Sequence, residues 1–261
     1  MAEYVTTTVT YSVPPADGVR AFQSTVKLDP ISGARERNYT RKIPEVQVEN
    51  IRGREDTVSL DTAGFQFYTS PAKYKGEFLD DEEIKRECYP ESEELIKKLT
   101  GANKVVIFDH SKYISRSFPF CTIYSGQSLA IRRHTPGQFD GPGKRQPVQQ
   151  VHVDQTTAAS IARVHRHLPP DEAQALLERR FQIINLWRPI SVPALEWPLA
   201  LCDFRSVDPK NDVFTVALIY PDREGGAYAV KHNPDHKWKY VRGMTPDDFV
   251  LFKWCVDPLH N

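Results

Sequence analysis

From residue 181 to residue 256 the chain is a succession of short apolar runs: 181–187, 199–203, 214–220, 227–230, 238–241 and 249–256. Runs this short, rich in Val, Ile, Leu and aromatic residues and separated by turn formers, predict β-strands rather than helices. The 20 prolines act in the same direction, because a proline inside a helix removes a hydrogen bond and clashes with the preceding turn. The second half is therefore expected to be a β-rich meander or a double-sheet fold.

The first half is more mixed. Residues 4–13 are rich in Thr, Val and Tyr and predict a strand, ended by Pro14-Pro15 and the turn at Asp17-Gly18. Residues 15–42 are polar with little periodicity and are expected to be an extended arm or loop. Residues 46–51 and 57–60 read as a pair of short strands, and 64–68 as another. Residues 80–100 carry acidic residues at the start and Leu95, Ile96 and Leu99 at helical spacing before Gly101, so they predict a helical zone, with Tyr89-Pro90 dividing it. A buried strand is expected at 104–109, a surface loop at 134–147, and helices at 156–166 and 171–180.

Composition narrows the function classes. The 34 basic residues balance the 34 acidic ones, without the basic excess expected of a nucleic-acid or membrane-surface binder. With 40% hydrophobic residues the chain can bury a sizeable core, yet no apolar run reaches the roughly 20 residues that span a bilayer. The N-terminus lacks the profile of a secretory signal. Cys88, Cys121, Cys202 and Cys255 are scattered and form no CxxC pair, which points to reduced thiols and a cytoplasmic location. No Gly-rich phosphate loop, GxGxxG fingerprint or nucleophile elbow is present.

Among the eight histidines, His152 stands apart. In His152-Val153-Asp154 the imidazole and the carboxylate lie at i and i+2, and on a strand such residues project to the same face. Val148 to Asp154 alternates, with Gln150, His152 and Asp154 on one side. Together with a remote histidine, such a pair makes the 2-His-1-carboxylate set of non-haem iron(II), which leaves positions open for cosubstrate and oxygen. The alternative is a polar strand edge with a plain His–Asp hydrogen bond. Arg188, at a strand end, is placed either to bind a carboxylate of cosubstrate or substrate or to pair with an acid such as Asp203. Asn185, on the opposite strand face from Arg188 and the same face as Trp187, is placed to donate to a cosubstrate oxygen or to satisfy buried backbone groups.

The motifs at 151–156, 180–190 and 198–206, followed by 233–240 and 245–253, resemble in their order the fungal hydroxylase/desaturase family (gibberellin desaturase, AsaB and CmcJ-like). The resemblance implies a mainly β chain with flanking helices (α+β) and a double-stranded β-helix, or jelly-roll, core. It implies a single domain, with 1–147 as N-terminal arm and flanking elements and 148–261 as the core. It also implies an iron(II)/2-oxoglutarate-dependent oxygenase that hydroxylates or desaturates a small-molecule secondary metabolite with O2. His152 and Asp154 match the family's first two iron ligands. The family's distal histidine lies in a Pro-His-Thr/Ser-Ala-Phe motif. Here the chain reads Asp257-Pro258-Leu259-His260-Asn261, and the family's final strand, with its cosubstrate-binding arginine, is not present. Either the chain is truncated relative to active members, or His260 supplies the third ligand from a shortened end. His236 is a competing ligand, although its place in a turn favours a structural role. The alternative function is an impaired paralogue acting as an accessory protein with a protein partner.

Overall fold

The computed structural model describes residues 3–28, 35–76, 80–107, 132, 134, 137 and 146–256. In chain order the strands are β1 (Glu3–Thr8), β2 (Tyr11–Val13), β3 (Ala21–Leu28), β4 (Arg35–Arg37), β5 (Thr40–Lys42), β6 (Glu45–Asn50) and β7 (Phe65–Thr69). They continue with β8 (His152–Val153), β9 (Gln182–Trp187), β10 (Leu201–Cys202), β11 (Val213–Ile219), β12 (Glu224–Val230), β13 (Trp238–Tyr240) and β14 (Asp248–Val256). The helices are α1 (Asp81–Thr100), α2 (Thr157–His167), α3 (Pro170–Leu177) and the single turn α4 (Pro209–Asp212). None of the described helices is long and apolar enough to cross a membrane.

The strands form a four-stranded sheet (β1-β6-β13-β10), a five-stranded sheet (β4-β3-β11-β12-β8), a three-stranded sheet (β7-β14-β9) and the small β2-β5 pair. The first three draw strands from both halves of the chain. β6 pairs in parallel with β13 and β3 in parallel with β11, so N-terminal strands complete sheets that the C-terminal meander begins.

Side-chain alternation on the three-stranded sheet creates two cores. Trp187 pairs with Val250, and both pack inward with Ile51, Val58, Phe65, Phe67, Val241 and Met244. Leu186 pairs with Leu251 one position along, and this opposite face packs with Leu60, Phe249 and the α1 residues Leu95, Ile96 and Leu99. Burial of each such side chain stabilises by about 1.5–3 kcal/mol. A third cluster (Tyr11, Val48, Val230, Trp238 and Tyr240) draws on the four-stranded sheet, the five-stranded sheet and the β2-β5 pair. Val151, next to the motif histidine, packs against it.

Several expectations are corrected. Residues 21–28 form β3 rather than a loop, although the segment is polar. It lies between β11 and β4, so backbone pairing rather than a continuous apolar face supports it. Residues 57–60 are not a strand; a 3-10 turn spans Glu55–Thr57. Pro90 does not divide α1, which runs unbroken from its Asp80 cap to Gly101, where a left-handed φ of 71° ends it. An interior proline costs about 3 kcal/mol. The apolar stripe docked on the sheet offsets that cost, as does Glu91, whose carboxylate accepts from the backbone amides of Lys73 and Tyr74. Residues 104–107 are irregular, and the remainder of the strand expected there lies outside the described residues, as does nearly all of the 134–147 loop.

Candidate metal centre

β8 is only two residues long. It is held on one side by β12, with Ala229 opposite His152 and Tyr228 opposite Val153. On the other side Thr10 bridges in parallel to Gln150: the Thr10 amide donates to the Gln149 carbonyl (3.0 Å) and the Val151 amide to the Thr10 carbonyl (2.8 Å). After Asp154 the chain turns at once into α2. Thr156 caps that helix by accepting from the Ala159 amide, and its own amide donates to the Gly226 carbonyl at 3.0 Å. A Cβ at Gly226 would lie 2.8 Å from Thr156 Oγ1, so only glycine lets β12 approach the motif this closely.

His152 and Asp154 do converge. Nε2 of His152 lies 3.2 Å from Oδ1 of Asp154, and both side chains keep just over a third of their surface open to a broad cavity (36% and 37%). The other ring nitrogen, Nδ1, is 2.6 Å from the Gln150 carbonyl oxygen. A carbonyl can only accept, so Nδ1 carries a hydrogen and donates it. In the neutral ring, Nε2 then presents a lone pair to the carboxylate. Two acceptors facing each other at this distance need a cation between them, either a proton or a metal ion. The electrostatics agree: burial lowers the basicity of His152 and the Arg132 charge works the same way. The Asp154 carboxylate and the Gln150 carbonyl outweigh both and hold the imidazole above its ordinary pKa.

Asn185, on β9, reaches the same point. Its Nδ2 donates to Oδ2 of Asp154 at 3.4 Å, which leaves Oδ1 to face His152. The expectation that Asn185 shares a strand face with Trp187 holds, and both line the cavity with Tyr228 and Val230. Its partner is the motif carboxylate, a contact that spacing alone does not reveal.

Arg188 is not brought to this point. One residue beyond the end of β9, it falls on the face that packs against α1. Its Nη1 is 3.9 Å from Oε1 of Glu91 and its guanidinium carbon lies 5.0 Å from the centre of the Phe249 ring. Burial lowers its pKa, while Glu91, Asp247 and Cys88 act in the opposite direction. The carboxylate that neutralises it belongs to Glu91. Asp203, the partner considered from sequence, instead binds Arg205 through both carboxylate oxygens (2.8 and 2.6 Å).

His236 is excluded as a ligand by its neighbours. Its Nδ1 accepts from the Tyr11 hydroxyl (2.9 Å) and its Nε2 donates to Oδ2 of Asp212 (3.0 Å), with the side chain 1% exposed. Both nitrogens are occupied, as the turn in which it sits suggested. His260 lies outside the described residues. Among the described residues, no third His, Cys, Asp or Glu joins a metal-binding cluster.

Comparison with known proteins agrees with the fold. A family model described as an oxidoreductase/YMDC permease-like domain matches residues 9–259. The hydroxylase/desaturase efuI of Hormonema carpetanum is 32% identical over 95% of this chain and 82% of its own length. The alpha-ketoglutarate-dependent dioxygenase phiK of a fungal species is 30% identical over 84% of this chain and 74% of its own. Among solved structures, the iron and alpha-ketoglutarate-dependent endoperoxidase NvfI superposes with a TM-score of 0.75 over 96% of this chain and 83% of that one, at 23% identity. That likeness establishes the jelly-roll-type fold. Taken with the family match along almost the whole sequence and the identity to efuI, it places the chain in the fungal hydroxylase/desaturase family.

Proposed function

We propose that this chain is an iron(II)/2-oxoglutarate-dependent oxygenase that hydroxylates or desaturates a small-molecule secondary metabolite with O2. The observation that carries the reading is the convergence of His152 Nε2 and Asp154 Oδ1, 3.2 Å apart at the open cavity, with the other ring nitrogen taken by the Gln150 carbonyl. An imidazole nitrogen and a carboxylate oxygen are the donors that non-haem iron(II) takes. His152 and Asp154 would hold the metal, and His260 is assigned as the third donor by its place in the family pattern.

When bound, iron(II) and 2-oxoglutarate supply the oxygen activation and the oxidising power. The chain's own residues supply position and surroundings. The Gln150 carbonyl fixes the His152 tautomer, so that Nε2 is the free donor. Asn185 engages one oxygen of Asp154 and keeps the other turned toward His152. Trp187, Tyr228 and Val230 line the cavity and give it walls able to hold an apolar substrate carbon and keep bulk water away. Arg188, tied to Glu91, has no part in binding cosubstrate in this reading; it anchors α1 to the sheet.

The test is conversion of 2-oxoglutarate to succinate by the purified chain with iron(II) and ascorbate. Succinate should form only with the metal, and His152→Ala should abolish it. Iron retained with oxygen uptake but no succinate would identify a metal oxygenase that does not use 2-oxoglutarate. The absence of both iron retention and succinate formation would overturn the assignment.

A further inference from the structure

Gln150 precedes the motif by two residues and lies on the same side of the alternating strand, yet its side chain does not join the metal pair. Its amide turns to the N-terminal strands instead. Nε2 donates to Ser12 Oγ (3.2 Å) and to the Tyr39 hydroxyl (3.3 Å), and Oε1 accepts from Arg41 Nη2 (3.2 Å). Both amide hydrogens and one oxygen lone pair are thereby used, which leaves little capacity for a cosubstrate. Its partners are themselves fixed. Ser12 and Arg41 are directly paired across β2 and β5, and Ser12 is 1% exposed. Tyr39, 5% exposed, donates its hydroxyl to Gln23 Oε1 at 2.6 Å, which ties the cluster to β3. The backbone carbonyl of the same Gln150 is the acceptor for His152 Nδ1.

We infer that Gln150 is a positioning residue for the metal centre: its side chain, clamped by Ser12, Tyr39 and Arg41, holds its own carbonyl where it orients the His152 ring. The inference rests on His152 being a metal ligand. A two-residue strand cannot hold a carbonyl rigidly by its own ladder, so the clamp and the Thr10 bridge take over that task. The N-terminal strands are thereby part of the device that presents the histidine.

The test is Mn(II) affinity by calorimetry, beside melting temperature, for the wild type and for His152→Ala, Gln150→Ala, Gln150→Glu, Tyr39→Phe and the Gln150→Ala/Tyr39→Phe pair. Loss of an outer partner of a ligating histidine weakens metal binding by roughly 10–100-fold. Gln150→Ala should fall in that range and Tyr39→Phe should lose several-fold. The double variant should bind no worse than Gln150→Ala, because both act through one clamp. Gln150→Glu keeps the length and the Arg41 contact and should recover part of the loss, which a general loosening of the fold would not allow. If His152→Ala loses the metal while Gln150→Ala binds within about twofold of wild type, the clamp is refuted and the metal site stands. Independent, multiplying losses in the double variant also refute the clamp. If His152→Ala itself binds as wild type does, the metal reading fails and the clamp falls with it.

Discussion

Among the described residues, two His–Asp pairs have nearly equal length and opposite design. His152 and Asp154 meet at 3.2 Å and His236 and Asp212 at 3.0 Å, yet the first pair is over a third exposed and the second almost fully buried. The decisive difference lies in what occupies the remaining ring nitrogen. His152 gives its Nδ1 hydrogen to a carbonyl and turns its Nε2 to a carboxylate at the open cavity. His236 accepts from the Tyr11 hydroxyl at Nδ1 and donates to the carboxylate at Nε2, so its charges and lone pairs are satisfied internally. Tyr11 in turn accepts from Trp238 Nε1 (3.0 Å), and Asp212 also accepts from the Asp208 amide (2.8 Å) and from Asn233. Identical residue types thus make an open, exposed pair in one place and a closed structural knot in the other. Hydrogen-bond bookkeeping separates them where residue identity does not.

The comparison breaks most sharply under alanine substitution. His152→Ala should cost more metal affinity than the roughly 10–100-fold expected for an outer partner, and should leave the melting temperature nearly unchanged. His236→Ala should do the reverse, since it takes the acceptor from the buried Tyr11 hydroxyl and one donor from the buried Asp212 carboxylate. If both variants lose metal and neither loses stability, the distinction is wrong.

Tyr11→Phe should come next in size. It leaves His236 Nδ1 and Trp238 Nε1 unpaired in a buried cluster, at about 1–3 kcal/mol for each orphaned group. Thermal unfolding should register a drop of several degrees, with metal binding intact.

Acid should also tell the two pairs apart. Burial pushes the Asp212 carboxyl up, but the Asp208 amide, Asn233 and His236 outweigh it and hold its pKa below the ordinary value. A depressed folded pKa contributes stability that is present above the unfolded value, about 3.9, and is lost as pH falls through the folded one. The wild-type melting temperature should therefore fall more steeply below about pH 4 than that of Asp212→Asn. Equal slopes would remove Asp212 from the account.

The smallest effect is expected at Asn185. Its 3.4 Å bond to Asp154 is long, and Asn185→Ala should weaken Mn(II) binding by only a few-fold, less than Gln150→Ala. A loss as large as that of His152→Ala would make Asn185 more than a support for the carboxylate.

The strands of the second half were legible because each shows a compact apolar run between turn formers, and the motif was legible because i and i+2 share a strand face. What escaped was held by partners far along the chain. β3 is polar and pairs in parallel with β11, nearly two hundred positions away, which no local period announces. α1 survives Pro90 because of docking on β14 and on Leu60, again a tertiary effect. Arg188 lay within reach of an obvious chemical role, but one further step of alternation turned it toward Glu91. The saturation of His236 depends on a tyrosine 225 residues away and was visible only as a turn. Gln150 carried one faint signal, its place on the motif's side of the alternation, with nothing to indicate that its amide faces the N-terminal strands.

The central claim is that His152 and Asp154 hold a divalent metal between them. A crystal structure of the chain with Mn(II) and 2-oxoglutarate tests it most directly. The account predicts one ion coordinated by both His152 Nε2 and an Asp154 carboxylate oxygen, with His152 Nδ1 still bonded to the Gln150 carbonyl. An ion bound elsewhere, or none while the two side chains keep their 3.2 Å contact, would contradict it.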